Sequence, residues 1–271
     1  LPEPAVLRYG LRSLLDRNAP LYVPARVDPQ LWTFLGRFAL HCTQRAWQRS
    51  LRAFVPVNSE CLNAYDALAE GGVEAPTVPA PITAAFENEE QVADLRREFE
   101  LIRRAGQEVT VTEGTREDAP QLSSRITTVL RVEGQRYVDP GGFVRALADA
   151  VVARGATLRT DFTAASVARD GKRVAIQSAA GERLTADTAV LATGAWLDHL
   201  AKPLGVRRAV RAGRGYSFTV PTEQPVPGPI YLPTVRVACT PYQGALRVAG
   251  TMEFRPADAA LDRGRIEAIV R

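Results

Sequence analysis

Apolar residues recur at helical spacing up to residue 70 and at alternating spacing in several short runs further on, so the chain combines helices with short strands. Val6, Leu7, Leu11, Leu14 and Leu15 share one helical face, and Asn18-Ala19-Pro20 ends that helix. Asp28-Pro29 opens a second helix, with Asp as N-cap and Pro in the first turn. It carries Leu31, Trp32, Phe34, Leu35, Phe38 and Leu40, then a basic amphipathic continuation through Arg45, Arg49 and Arg52. A further helix over 58–69 closes at Gly71-Gly72. Pro76, Pro79 and Pro81 form a linker into a different regime. The pattern there predicts a strand over 83–86, an Asn88-capped helix to Arg104, a strand over 109–112, a Thr115-capped turn to Ala119 and a strand over 125–133.

From Tyr137 the pattern changes again. Asp139-Pro140 start a helix through Phe143, Leu147 and Val151 that Gly155 ends, and a strand over 157–159 follows. Asp170-Gly171-Lys172, the strongest turn signal in the chain, joins strands over 166–169 and 173–177, with a third strand over 183–185. Residues 189–192 read as a short strand buried on both faces. Gly194 lets the backbone leave it at a tight angle, and 195–202 read as a helix. Such strand-turn-helix tips are where α/β proteins place ligands.

Composition narrows the class. With 271 residues, 46% hydrophobic and 24% charged, the chain can bury a substantial core and is not disordered. Its net charge of +4 comes from 34 basic against 30 acidic residues mixed along the chain, without a basic run interleaved with aromatics, so no nucleic-acid partner is expected. Cys42, Cys61 and Cys239 are too widely spaced for a zinc knuckle and too few for a disulfide framework, which fits a reducing compartment. His41 and His199 are not at metal spacing, so no metal site is expected. No apolar run reaches the roughly 18 residues of a spanning helix. Trp32, Phe34, Phe38 and Trp47 read either as core packing or, among the arginines, as a membrane-surface face. Leu1 stands where an initiator methionine would, which reads as a piece of a longer protein.

Four features in order carry a resemblance: the helix from Asp139 with its hairpin, Ala186-Asp-Thr-Ala-Val-Leu-Ala-Thr-Gly-Ala-Trp196, Arg214-Gly-Tyr-Ser217, and Leu246-Arg-Val-Ala-Gly-Thr-Met-Glu253. Together they resemble the FAD-dependent D-amino-acid oxidase superfamily, and within it the small-subunit type of D-amino-acid dehydrogenase, over nearly the whole chain. The implied fold is α+β: a mixed/antiparallel substrate-domain sheet with helices, plus the middle part of a Rossmann-like FAD domain. In that division 1–135 is the helical and α+β part of the substrate domain, 136–205 the FAD-domain portion, and 206–271 the return strands of the substrate domain. The implied reaction is oxidative deamination of a (D-)amino acid to a 2-oxo acid and ammonia, with hydride passing from the α-carbon to flavin N5. Electrons would then pass to an acceptor such as a quinone. The implied location is cytoplasmic, with peripheral attachment to the inner face of the membrane left open.

The resemblance assigns FAD contacts to Ala164, Ala192, Thr193, Gly194 and Trp196. Met252 matches a methionine near the substrate in glycine-oxidase-like members. Val237 stands where those members carry a substrate-side tyrosine, which leaves Tyr216 and Tyr231 as candidates by position and Arg214 as a positive charge for a carboxylate. No acid or base residue is singled out. The family's opening Gly-x-Gly-x-x-Gly turn has no match here, since Gly213-Arg-Gly215 has Phe218 in third place, and its closing arginine segment has none either. The chain by itself is therefore expected neither to hold FAD tightly nor to turn over. A non-catalytic α+β module that binds a small ligand or a protein is the competing reading.

Overall fold

The computed structural model describes residues 19–23, 28–207, 210–255 and 259–270; the helix expected over 6–15 lies outside them. In chain order the elements are β1 (Leu21–Tyr22), α1 (Pro29–His41), α2 (Gln44–Glu70), β2 (Val78–Pro79), β3 (Ile82–Phe86), α3 (Glu89–Arg104), β4 (Val111–Gly114) and β5 (Thr128–Val132). They continue with β6 (Arg136–Tyr137), α4 (Pro140–Ala153), β7 (Ala164–Asp170), β8 (Arg173–Ser178), β9 (Arg183–Ala186), α5 (Leu197–Ala201), β10 (Arg214–Pro221), β11 (Ile230–Leu232), β12 (Val237–Tyr242), β13 (Ala245–Glu253) and α6 (Arg263–Val270).

The helix starts follow local chemistry. Asp28 and Asn88 accept hydrogen bonds from Leu31 N (2.9 Å) and Gln91 N (3.1 Å), and Thr115 and Asp118 form a capping box over a short 3-10 turn. One boundary differs from the sequence reading. The chain breaks at Cys42-Thr43 and α2 then runs unbroken to Glu70 with Pro56 inside it. Thr43 is extended and its Oγ1 caps Ala46 N at 3.2 Å, so a new helix starts there rather than at 58.

The main sheet is mixed, in the order β1-β13-β12-β11-β3-β5-β4, with β10 on the other side of β13. Among the described strands of this sheet only β1 with β13 and β11 with β3 are parallel. Both faces are covered. Ala84, Phe86 and Leu130 pack under Val92 and Leu95 of α3. On the opposite face Tyr216, Ile230, Val237 and Cys239 pack under Ala119, Leu122, and Ile266 and Ile269 of α6. The expected α+β architecture is what forms.

A second sheet, β7-β8-β9, is an antiparallel meander turning at Gly171, whose φ of 61° suits glycine. Two expected strands do not form. Residues 157–159 and 189–192 carry no regular secondary structure, and Val190 is 86% exposed rather than buried on both faces. An apolar run becomes a buried strand only where neighbours accept its backbone bonds, and no described strand pairs with either stretch. The neighbouring α4 is apolar around much of its circumference, yet none of its residues is buried.

Candidate functional site

Register brings Arg214, Tyr216 and Glu253 together. Arg214 lies opposite Glu253 across β10 and β13, and their side chains meet at 2.6 Å (Nη2 to Oε1) and 3.1 Å (Nε to Oε1). The Tyr216 hydroxyl donates to the same carboxylate oxygen at 2.7 Å and accepts from Arg214 Nη2 at 2.9 Å and from Asp262 N at 3.1 Å. Arg214 also donates to the carbonyls of Ala259 and Ala260, so each guanidinium nitrogen meets a protein acceptor. Glu253 is fully buried and Tyr216 nearly so. The Glu253 carboxylate holds the Arg214 guanidinium above its ordinary pKa.

The second Glu253 oxygen faces Arg255 Nε at 3.3 Å, and Arg255 reaches Asp262 at 3.4 Å. Arg265, also buried, donates to the carbonyls of Ala19, Pro20 and Met252 at 2.8, 3.3 and 3.2 Å. Burial pulls its pKa down. The network thus ties β1, β10, β13 and the approach to α6 into one unit. Removing one member of a buried charge network costs about 3–5 kcal/mol, because its partners are left buried and uncompensated.

Between Gly250 and Met252 the β10–β13 register shifts, and Thr251 is the extra residue of a bulge. Its φ of 52° is unusual for a β-branched side chain, a strain of about 1–3 kcal/mol. Its Oγ1 is buried with no hydrogen-bond partner among the described residues. Met252, 42% exposed, pairs with Gly215, and a Cβ on Gly213 would sit 3.3 Å from its sulfur.

Of the four residues expected on the substrate side, Arg214, Tyr216 and Met252 sit on two paired strands at one end of the sheet, Arg214 and Tyr216 on one face and Met252, paired with Gly215, on the other. Tyr231 does not join them. It pairs with Ala84 and Ala238, and strand alternation puts it on the α3 face, whereas Tyr216, Ile230 and Val237 share the other.

The residues expected to meet the cofactor lie on the second sheet and the turn packed against it. Gly194 has φ 54° and opens a 3-10 turn with Ala195 and Trp196 that leads into α5, and α5 packs on β7, which Ala164 begins. Ala192 and Gly194 are exposed, Trp196 is 68% exposed, and Thr193 Oγ1 is buried with no hydrogen-bond partner among the described residues.

A cleft of about 650 Å³ opens elsewhere, among Tyr137, Asp139, Phe143, Glu223, Tyr242 and Gln243. None of the expected site residues lines it. It sits by the β12–β13 turn, and the nine residues of β13 put it roughly 27 Å from Glu253. The bulged end of β13, where Arg214, Tyr216 and Glu253 meet, carries the better chemical case. No group of side chains suited to a metal ion occurs among the described residues.

Sequence reasoning missed Glu253, Thr251, Arg255, Asp262 and Arg265. Of these, Thr251 and Glu253 left a trace, inside the Gly-Thr-Met-Glu motif.

Known proteins resemble this chain in sequence and in fold. A D-amino acid dehydrogenase of Xanthobacter autotrophicus is 28% identical over 272 residues, covering 97% of this chain and 65% of its own length. One from Methylobacterium radiotolerans is 28% identical over 278 residues, covering 99% of this chain and 66% of its own. The chain thus spans about two thirds or slightly less of those proteins. Glycine oxidase from Geobacillus kaustophilus shares the fold at TM-score 0.62 and 20% identity, over 82% of this chain and 59% of its own. So does L-proline dehydrogenase from P. horikoshii, at TM-score 0.61 and 14% identity over the same shares. Residues 7–271 match the DAO family of FAD dependent oxidoreductases, and the chain belongs to that family.

Proposed function

We propose that this chain provides the substrate-side sheet and part of the flavin-side wall of an enzyme that oxidises a D-amino acid to a 2-oxo acid and ammonia. The observation that carries this reading is the buried Arg214–Tyr216–Glu253 cluster at the bulged end of β13, in a chain whose relatives include proteins named D-amino acid dehydrogenase. In this reading 1–135 and 206–271 build the substrate domain and 136–205 belongs to the FAD domain.

The residues of the turn fit a flat cofactor. Gly194 opens the backbone, Thr193 offers a buried hydroxyl without a partner among the described residues, and Trp196 presents a ring to the outside. Ala164 and Ala192, with no bulk beyond Cβ, let such a ring system approach main chain. FAD, when bound, accepts the hydride from the amino acid's α-carbon. The chain's own share is to hold the substrate and keep water out. Tyr216 and Glu253 fix Arg214 at the start of β10, Met252 lies on the opposite face of the same ladder, and the apolar rows of β10 and β12 exclude solvent. Electrons then leave to an acceptor such as a quinone. Among the described residues no helix is long and apolar enough to cross a membrane.

The test is product formation by the full-length protein with FAD, an artificial electron-accepting dye and a panel of D- and L-amino acids. Equal amounts of 2-oxo acid and ammonia, formed only with D-amino acids and in step with dye reduction, are expected. No product with any amino acid would sink the reading.

A further inference from the structure

Burial alternates along β10 and β12. Tyr216, Val237 and Cys239 are buried under α6 and its neighbours, while Gly215, Ser217, Thr219 and Ala238 point the other way and are exposed. Helix α3 covers that second face over β3 and β5, through Ala84, Phe86 and Leu130, but leaves these residues open to a ligand. Met252, itself exposed, stands on the open face opposite Gly215. Arg247 shares the face, paired with Thr219 and Thr240 in the middle of β13. Its Nη2 donates to Ser217 Oγ at 2.9 Å, and its guanidinium carbon lies 5.5 Å from the centre of the Tyr242 ring. No carboxylate pairs with it among the described residues. A guanidinium steadied by a hydroxyl and a ring, with its charge uncompensated, is set to receive an anion. Ser217 is two residues along β10 from Gly215, about 7 Å, so a ligand the size of an amino acid reaches from Met252 to the guanidinium.

We propose that Arg247 is a substrate-binding residue whose guanidinium takes a carboxylate of the amino acid on the open face of β10, β12 and β13. This rests on the amino-acid-oxidising function proposed above. Arg214 does not compete for the role, because its donors are committed to Glu253, Tyr216 and two backbone carbonyls on the sealed face. Every amino acid offers an α-carboxylate, and an acidic one offers a second on its side chain.

The test uses Arg247→Gln and Arg247→Lys in the FAD-loaded full-length protein, assayed with D-alanine and D-glutamate. Arg247→Gln should raise KM about tenfold or more with kcat within about threefold, and Arg247→Lys, which keeps the charge, should fall between it and wild type. A rise with both substrates assigns the α-carboxylate, and a rise with D-glutamate alone assigns the side-chain carboxylate. Both variants of the present chain should melt within a few degrees of wild type, since no ion pair within the described protein is broken. A KM unchanged with every D-amino acid that the wild type oxidises, a loss of FAD affinity in place of substrate affinity, or a collapse in Tm would each overturn the inference. A wild type that oxidises no amino acid overturns both this and the function on which it rests, whereas an active wild type beside an unaltered Arg247→Gln removes Arg247 alone.

Discussion

Arg214 and Glu253 face each other across β10 and β13 and close a 2.6 Å ion pair around a carboxylate that has no solvent exposure. The pair fixes the geometry of the strand ends that carry Tyr216 and Met252, and it does so at a desolvation cost that only a complete network offsets. Glu253→Ala should therefore destabilise the chain by about 3–5 kcal/mol, since Arg214 and Arg255 lose their shared counter-charge. Glu253→Gln, which keeps an acceptor for the Tyr216 hydroxyl, should cost less. Urea denaturation of the three proteins measures both, and equal midpoints would show that the pair holds nothing.

Trp196 is 68% exposed, so its removal should leave stability almost untouched and act on ligand affinity. Trp196→Ala is expected to weaken flavin binding in the full-length protein by about tenfold, the scale of one lost aromatic contact. Tryptophan fluorescence during FAD titration reads this directly. An unaltered affinity would place the ring away from the cofactor.

Asp139 caps α4. The backbone N–H of Gly142, the Gln243 side chain and the Gly141 N–H hold its carboxyl below the usual carboxylate range. A depressed folded value means that the unfolded chain binds the proton first as pH falls. The contribution is thus complete above about pH 4 and is lost on passing down through the folded value. Asp139→Asn should flatten the acid limb of a stability–pH profile below about pH 4 while leaving its neutral plateau nearly unchanged, because asparagine still accepts at the cap. Urea midpoints across that range test it, and an acid limb as steep as wild type would contradict it.

What could be seen in the sequence was local. Asp28, Asn88, Thr115 and Asp139 announce their caps, and Asp170-Gly171-Lys172 its hairpin, because each is decided within a few residues. The ordered motifs also located Arg214, Tyr216 and Met252. What escaped depends on pairing over long separations. Glu253 becomes a buried counter-ion only through a register with Arg214 that is 39 positions away, and Arg265 is placed by carbonyls of residues 19 and 20. Tyr231 was grouped with Tyr216 because spacing alone does not say which sheet face a residue takes. Residues 189–192 carry strand propensity but have no partner strand among the described residues, and Val190 and Ala192 in that run are exposed.

The most direct test of the account is the absorbance of FAD-loaded full-length protein under anaerobic conditions. Addition of a D-amino acid should bleach the oxidised flavin band, and the matching L-amino acid should leave it unchanged. A flavin band that no amino acid of either hand reduces would contradict the assignment of Arg214, Tyr216 and Met252 to an amino-acid site.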